Sequence, residues 1–360
     1  MDIYILGAHS RARTLGFYLK TIDSSIRVKA YIVTNDEPNP VMVDGIRVMY
    51  LNETKNTINT DCKIYIGTRG VHHANLMKVL LKVGFNPANI IPVTPELDME
   101  LRNKFLQKYF ALQGKVYSKI SDTEIGNLNS ADICSIGIYV AKTENDVLAE
   151  DSFNNRNYET FLQVGAALTS QRITEKNDLG NDSISNKNHQ YCELTGLYWI
   201  WKNATEEIVG LEHYRRRFLL PADWKERMLS NDIDVILPTP LYVCPNLKEN
   251  YQERHVKEDF DVLENVMKAQ HPDEYEDFTK YFEDGLYSPC NMFVMRREIL
   301  TKYCEWLFPI LFEAEEHIGI HQDAYQNRYP GFMAERLMSF YFDKHKDEYK
   351  LVYCDKNFLK

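Results

Sequence analysis

Several features are scarce in this sequence, and each scarcity excludes something. Seven cysteines (62, 134, 192, 244, 290, 304 and 354) are scattered with no Cys-x-x-Cys pair. An odd, unclustered count argues against a disulfide framework or thiolate zinc site and for reduced thiols. No apolar run approaches the roughly 18 residues that a membrane-spanning helix needs. The opening residues, Met1-Asp-Ile-Tyr-Ile-Leu-Gly7, lack a basic n-region and read as a strand rather than a signal peptide. Positive charge is in deficit: 42 Lys and Arg against 52 Asp and Glu leave a net charge of −10. That balance argues against a general nucleic-acid binder while leaving room for a local basic pocket. A cytoplasmic protein is expected. Peripheral contact with the inner face of a membrane is compatible with this, although no basic amphipathic helix announces it.

Glycine is thin where a dinucleotide would need it. Ile3 to Leu6 reads as a strand, and Gly7-Ala-His-Ser-Arg-Ala-Arg13 then opens a helix with a single glycine. Arg11 and Arg13 stand where close backbone approach to a pyrophosphate would call for more, so the dinucleotide fingerprint is incomplete. Further strands are expected at Val28–Val33, Lys63–Gly67 and Ile90–Val93, with a helix at Ala74–Val83. Strands alternating with helices imply a doubly wound parallel sheet. This N-terminal part resembles the small Rossmann-like domain that precedes the catalytic unit in several bacterial sugar-modifying enzymes, including sugar acyltransferases. Residues 1–114 are assigned to it, 115–132 to a polar linker, and 133–360 to a second α/β domain beginning with the strand Ser135–Ala141.

The centre of that second domain is Ile208-Val-Gly-Leu-Glu-His-Tyr-Arg-Arg-Arg-Phe218. Four apolar residues read as a buried strand, and the charged cluster reads as its ligand-facing end. Period-two alternation would put His213 and Arg215 on one face, suited to phosphate oxygens. A surface basic patch or an internal ion-pair cluster stays open. The polar stretch Thr169 to Gln190 reads either as a ligand loop, with Lys187 as a point charge for an anion, or as a solvated loop. Trp199 and Trp201 on the following helix read as core and rim. Lys248 to Tyr281 reads as a charged helical insertion flanking the site, on which Tyr251, Arg254 and His255 either meet donor or acceptor or form a solvated face, the second reading being favoured.

Six ordered motifs then carry a resemblance. Asn186-Lys-Asn188, Cys192-Glu-Leu-Thr-Gly-Leu-Tyr-Trp199, Gly210-Leu-Glu-His-Tyr-Arg-Arg216, Cys290-Asn-Met-Phe-Val-Met-Arg-Arg-Glu298, Tyr303-Cys-Glu-Trp-Leu-Phe308 and Gly331-Phe-Met-Ala-Glu-Arg-Leu337 lie in order within a stretch of about 200 residues, roughly 135–345. Together they resemble a bacterial capsule and exopolysaccharide biosynthesis family, formerly catalogued as a domain of unknown function, that includes galactofuranosyltransferases. The resemblance implies a GT-A type glycosyltransferase with a UDP-sugar donor, UDP-galactofuranose first, and a glycan or lipid-linked glycan acceptor.

On that resemblance His213, Tyr214, Arg215 and Arg216 are expected at the donor, joined by Asn186, Lys187, Asn188, Ala141 and Gln163. Where many GT-A enzymes carry Asp-x-Asp and a divalent metal, this strand ends in His213-Tyr-Arg215, which offers no hard oxygen ligands for Mg²⁺. Metal-independent, inverting transfer is therefore expected, with Mn²⁺ or Mg²⁺ at Asp232 and Asp234 as the alternative. Asp259-Phe-Asp261 reads as a solvated helix face. Glu335 is the first choice for the base and Asp323 the second, while Asn291 and Arg336 are expected at the acceptor. His317 and His321 are not expected as ligands. Two rivals stand beside this: an NAD-dependent enzyme modifying nucleotide sugars, and a non-catalytic module that recruits glycan enzymes. A homodimer is compatible with either.

Overall fold

The computed structural model describes residues 1–34, 38–53, 58–126, 134–146 and 156–357. The chain divides into two compact units, one of residues 1–117 with 242–244 and one of residues 118–241 with 245–360.

In the first unit, β1 (Asp2–Leu6), α1 (Ser10–Ile22), β2 (Arg27–Val33), β3 (Met42–Val43), β4 (Ile46–Tyr50), β5 (Lys63–Ile66), α2 (His73–Val83), β6 (Ile90–Pro92) and α3 (Pro95–Leu112) follow in order. They build one sheet in the order β3-β4-β2-β1-β5-β6, parallel except for β3. Alternation along β1 sends Ile3 and Ile5 to a core shared with Ala12, Leu15 and Leu19 of α1. Tyr4 and Leu6 go to the opposite core with Leu76 and Leu80 of α2. Both faces are thus covered, as parallel sheets require. The β3–β4 hairpin was not read from the sequence. Its Asp44-Gly45 turn has φ of 50° and 74°, the left-handed pair that an Asp-Gly dipeptide accommodates in a tight hairpin.

The second unit contains β7 (Ile136–Lys142), β8 (Glu159–Gln163), β9 (Lys176–Asn177), α4 (Asn188–Tyr191), α5 (Leu194–Asn203), β10 (Ile208–His213), α6 (Trp224–Ser230) and β11 (Val235–Pro238). Helices α7 (Leu247–Arg254), α8 (Lys257–Gln270) and α9 (Tyr275–Phe282) follow, then β12 (Phe293–Arg296), α10 (Arg297–Ile318), α11 (Tyr329–Lys344) and β13 (Leu351–Cys354). The sheet order is β13-β11-β12-β10-β7-β8-β9, with β12 antiparallel to both neighbours. All six residues of β10 are buried at its centre.

Two sequence expectations need correction here. The expected linker 115–132 is in part a packed element: Tyr353 N donates to Ser118 O at 2.9 Å, Lys119 pairs with Asp355 at 2.6 Å, and Gly126 N donates to Ser230 Oγ at 2.9 Å. Ser118, Lys119 and Gly126 thus belong to the second unit and bond within it; residues 127–132 lie outside the described residues. The charged insertion is only in part a solvated face: Arg254 and Asp261 are exposed, as expected, but their neighbours are not. Tyr251 is fully buried, and the His255 ring stacks on Phe332 at 3.9 Å between centroids. Asp259 is buried and meets His321 Nε2 with both oxygens at 2.9 Å. Phe260, Leu263, Val266 and Met267 recur at helical spacing and are buried, an apolar stripe that average charge concealed.

Candidate active site

β7 and β10 run parallel and end side by side, with Ala141 opposite His213. Their carboxyl ends open onto a cleft of about 380 Å³ within the second unit, the place where open α/β sheets receive ligands. Val164, after β8, and Asn188, at the start of α4, line another side. Gly165 has φ of 68°, and a Cβ there would stand 2.8 Å from Asn188 Oδ1. Only glycine lets that amide lie so close to the strand end.

The cationic cluster is presented by a turn. β10 continues to His213, and residues 213–216 close a two-residue hairpin through His213 N to Arg216 O and Arg216 N to His213 O, both 3.1 Å. Strand alternation therefore stops at His213, and Arg215 is placed by the turn, a correction to the period-two expectation. The cluster is held from two sides: Tyr214 N donates to Ala141 O at 3.0 Å, and Arg216 Nη1 lies 3.3 Å from His213 Nδ1. Burial pushes the His213 imidazole below its ordinary pKa, against the pull of Glu193, and Arg216 adds to the depression. His213, Tyr214, Arg215 and Arg216 all line the cleft.

Beneath the turn lies a buried ion cluster. Glu212 accepts from Phe218 N at 2.7 Å and meets Arg217 Nη1 at 3.4 Å, while Arg217 also pairs with Glu159 at 2.9 Å. The hairpin stands on this cluster.

A second loop faces the first. Cys290 and Asn291 have φ of 82° and 49°, consecutive left-handed conformations that non-glycine residues adopt at a cost of about 1–3 kcal/mol each. The loop is clamped throughout. Ser288 N donates to Ser339 Oγ at 2.8 Å, Cys290 N to Glu335 Oε1 at 2.7 Å, and Asn291 Nδ2 to Glu193 Oε1 at 2.8 Å. Burial raises the Glu335 pKa, with Glu193 adding to the rise; Arg336, the Cys290 amide and Arg216 work against it. Two carboxylates, Glu193 and Glu335, thus feel one another beside the cationic turn.

Glu193, Asp146 and Arg328 line the cleft and were missed as site residues. Glu193 stood inside a quoted motif but read as helix, and no local pattern marks Arg328, whose Nε lies 3.0 Å from Cys192 Sγ. Other expected residues, Glu335 and Asn291 included, are not among those lining the cleft, and most have partners within the chain. Lys187 is paired with Glu315 at 2.6 Å. Gln163 is fully buried, donates to Gln171 O at 2.8 Å and accepts from Ile173 N at 3.1 Å. Arg336 donates to Phe332 O at 2.8 Å, Asp323 Oδ1 caps Tyr325 N and Gln326 N at 2.9 and 2.8 Å, and Asn186 is exposed. Asp234 precedes β11 at the opposite edge of the sheet and pairs with Arg296 at 3.1 Å. Among the described residues, no three His, Cys, Asp or Glu gather to hold a metal ion. No helix among them is long and apolar enough to cross a membrane.

Residues 147–346 match the family model described as "Domain of unknown function (DUF4422)". The chain belongs to the DUF4422 family. No curated protein matches it. Among solved structures it is similar to the bifunctional glycosyltransferase WbbM in its apo form, with a TM-score of 0.56 and 27% sequence identity. That similarity covers 63% of this chain and 45% of WbbM, so the chain spans less than half of the larger protein. For this DUF4422 member the likeness supports a mixed α/β fold of the glycosyltransferase kind.

Proposed function

We propose that the second unit, a GT-A type domain, transfers a sugar from a nucleoside diphosphate donor to a glycan acceptor, with inversion and without a metal ion. The carrying observation is the Arg215–Arg216 pair, presented on a two-residue turn at the end of the central strand in a cleft that also holds carboxylates. Similarity to a bifunctional glycosyltransferase supports the reaction class. The capsule and exopolysaccharide resemblance points to UDP-galactofuranose as donor and a growing, lipid-linked surface glycan as acceptor.

In this reading the bond from the anomeric carbon to the diphosphate oxygen breaks while the acceptor oxygen bonds from the opposite face. Charge gathers on the departing diphosphate, where fixed guanidinium groups stabilise it most in the transition state. Buried His213, disfavoured as a cation, offers a neutral ring to the same region. The acceptor proton passes to a carboxylate. Glu335 takes that role, with one oxygen oriented by the Cys290 amide, and Glu193 stands as the second carboxylate.

Calorimetric titration of UDP in EDTA and then with Mn²⁺, on wild type and Arg215→Ala, tests this. The expected result is metal-free binding that the substitution weakens tenfold or more, about 1.4 kcal/mol. Binding that requires Mn²⁺ would overturn the charge-replacement mechanism and return attention to Asp232 and Asp234. Absence of UDP binding under both conditions would favour another donor nucleotide or a recruitment module.

A further inference from the structure

Three aromatic rings stack beside the cleft of the second unit and take no part in the proposed transfer chemistry. His255, the residue after α7, lies on Phe332 of α11 with centroids 3.9 Å apart and planes 21° apart. Tyr325 completes the group, 5.9 Å from His255 and 5.2 Å from Phe332. His255 and Phe332 are half-buried, whereas Tyr325 is 49% exposed. A lone exposed ring is ordinary on a protein surface; a stacked set on fixed backbone is not. The backbone here is fixed. Asp323 Oδ1 accepts from Tyr325 N and Gln326 N at 2.9 and 2.8 Å, Asp323 O accepts from Asn327 N at 2.8 Å, and Gln326 Nε2 donates to Arg254 O at 3.2 Å.

The rings are continuous with the cleft. Arg328 caps α11, and Arg328, Phe332 and Glu335 follow at spacings of four and three, so all three share one face. Arg328 lines the cleft, and its guanidinium lies 5.9 Å from the Phe332 ring centroid. Among the described residues that side chain hydrogen-bonds only Cys192 Sγ, at 3.0 Å, which leaves its terminal N–H groups for a ligand. Glu335 stands one turn beyond Phe332, about 5–6 Å between Cβ atoms, roughly the span of one pyranose unit. An acceptor whose hydroxyl reaches Glu335 therefore carries its next ring across Phe332. The stack is also uncharged at neutral pH: burial pushes the His255 pKa down to about 3, with Arg336 adding to the drop and the Gln326 bond opposing it.

We propose that Tyr325 and Phe332, with Arg328 at their edge, form a subsite for a pyranose ring of the acceptor glycan. The C–H face of the sugar lies on the rings, where dispersion and loss of apolar surface from water both favour it, and the Arg328 N–H groups meet its hydroxyls. The surroundings suit a sugar: a small apolar face, with the exposed Arg254 and the Gln326 amide beside it, matches a ligand that is apolar on one side and polar around its rim. A protein segment would call for a wider apolar surface. As an acceptor subsite this rests on the proposed transfer reaction, whereas sugar binding at Tyr325 is measured apart from donor binding.

The test is saturation-transfer difference NMR on the full chain, with the methyl glycosides of β-D-galactopyranose, β-D-glucopyranose and α-L-rhamnopyranose at millimolar concentration. Wild type, Tyr325→Phe and Tyr325→Ala are compared, thermal unfolding reports whether each is folded, and UDP is titrated into wild type by calorimetry. The expected result is saturation of the ring C–H protons of at least one glycoside, kept in Tyr325→Phe and lost in Tyr325→Ala. No saturation with any of the three overturns the proposal, and so does saturation that Tyr325→Ala leaves intact. Self-association of wild type that Tyr325→Ala abolishes, read by sedimentation, would assign the rings to a second copy of the chain and overturn it too. Sugar binding at Tyr325 without UDP binding would keep a sugar subsite and remove the transfer reading; UDP binding without sugar binding would do the reverse.

Discussion

Asn291 donates Nδ2 to the Glu193 carboxylate at 2.8 Å and to the Gly331 carbonyl at 3.1 Å, from a backbone held at φ of 49°. One buried amide thus ties the strained loop before β12 to the start of α5 and to α11. Asn291→Ala removes both bonds and puts a Cβ residue without a polar side chain into the left-handed region. A loss of about 2–3 kcal/mol in unfolding free energy is expected from the unpaired buried groups, read by urea denaturation. Asn291→Gly restores the backbone preference but not the bonds, so it should fall between wild type and alanine. An alanine variant as stable as wild type would show that the amide does not hold the loop.

The two carboxylates beside that loop make separable predictions. Glu335→Gln is expected to lower kcat by about 10²–10⁴-fold, the usual contribution of a general base. Burial holds the Glu335 carboxyl above its ordinary 4.5. A base must be ionised, so kcat/KM should rise with pH through that elevated pKa, and the glutamine variant should lose the limb. If Glu193→Gln shows the larger loss and Glu335→Gln keeps the limb, the base is Glu193, which lines the cleft, and Glu335 positions the Cys290 loop.

The cluster under the cationic turn links stability to pH. Glu212 is fully buried, and burial together with neighbouring Glu159 lifts its pKa from 4.5 to about 7, against the pull of the Phe218 amide and Arg217. The folded state therefore holds a proton that the unfolded state releases first. The group's favourable contribution is fully present below pH 4.5 and is lost as pH rises through about 7. Glu212→Gln keeps an oxygen for Phe218 N but does not titrate. Urea midpoints at pH 5 and pH 8 should therefore fall more in wild type than in the variant; parallel changes in both would remove Glu212 as the source.

The strands were legible because Ile3–Leu6 and Ile208–Leu211 are apolar runs bounded by turn or charged residues, and burial on both faces leaves that mark. The cationic turn was legible as a cluster but not in its geometry. Alternation holds only while the strand lasts, and nothing local shows that His213 pairs with Arg216 rather than continuing outward. Glu193 was hidden differently. Its partner Asn291 is 98 residues away, and a carboxylate at the start of an aromatic helix looks the same whether it caps, solvates or reaches a site. Asp259 and Tyr251 misled through composition, since helices α7 and α8 carry enough charge to mask a buried stripe. Lys187, read as an anion contact, meets Glu315 across 128 residues of sequence, a pairing that only the tertiary fold brings about.

Asp178 shows how the long polar loop becomes part of the site. It is fully buried, and its two oxygens accept from Gly165 N at 2.8 Å and Ala166 N at 3.0 Å, with the Ser185 hydroxyl at 2.5 Å. Those bonds fix the left-handed Gly165 turn against Asn188, which lines the cleft. Charge-assisted bonds to buried donors are the strong ones, and Asp178→Ala leaves three such donors without an acceptor. A loss of about 2–4 kcal/mol is expected, since each unsatisfied buried group costs about 1–3 kcal/mol and relaxation recovers part. Asp178→Asn keeps one acceptor oxygen and should lose less. Amide hydrogen exchange at Gly165 and Ala166 distinguishes local from global loosening: exchange at these two amides should quicken in Asp178→Ala while the β10 amides stay protected. Unchanged exchange at 165 and 166 would show that the loop is held by its other contacts.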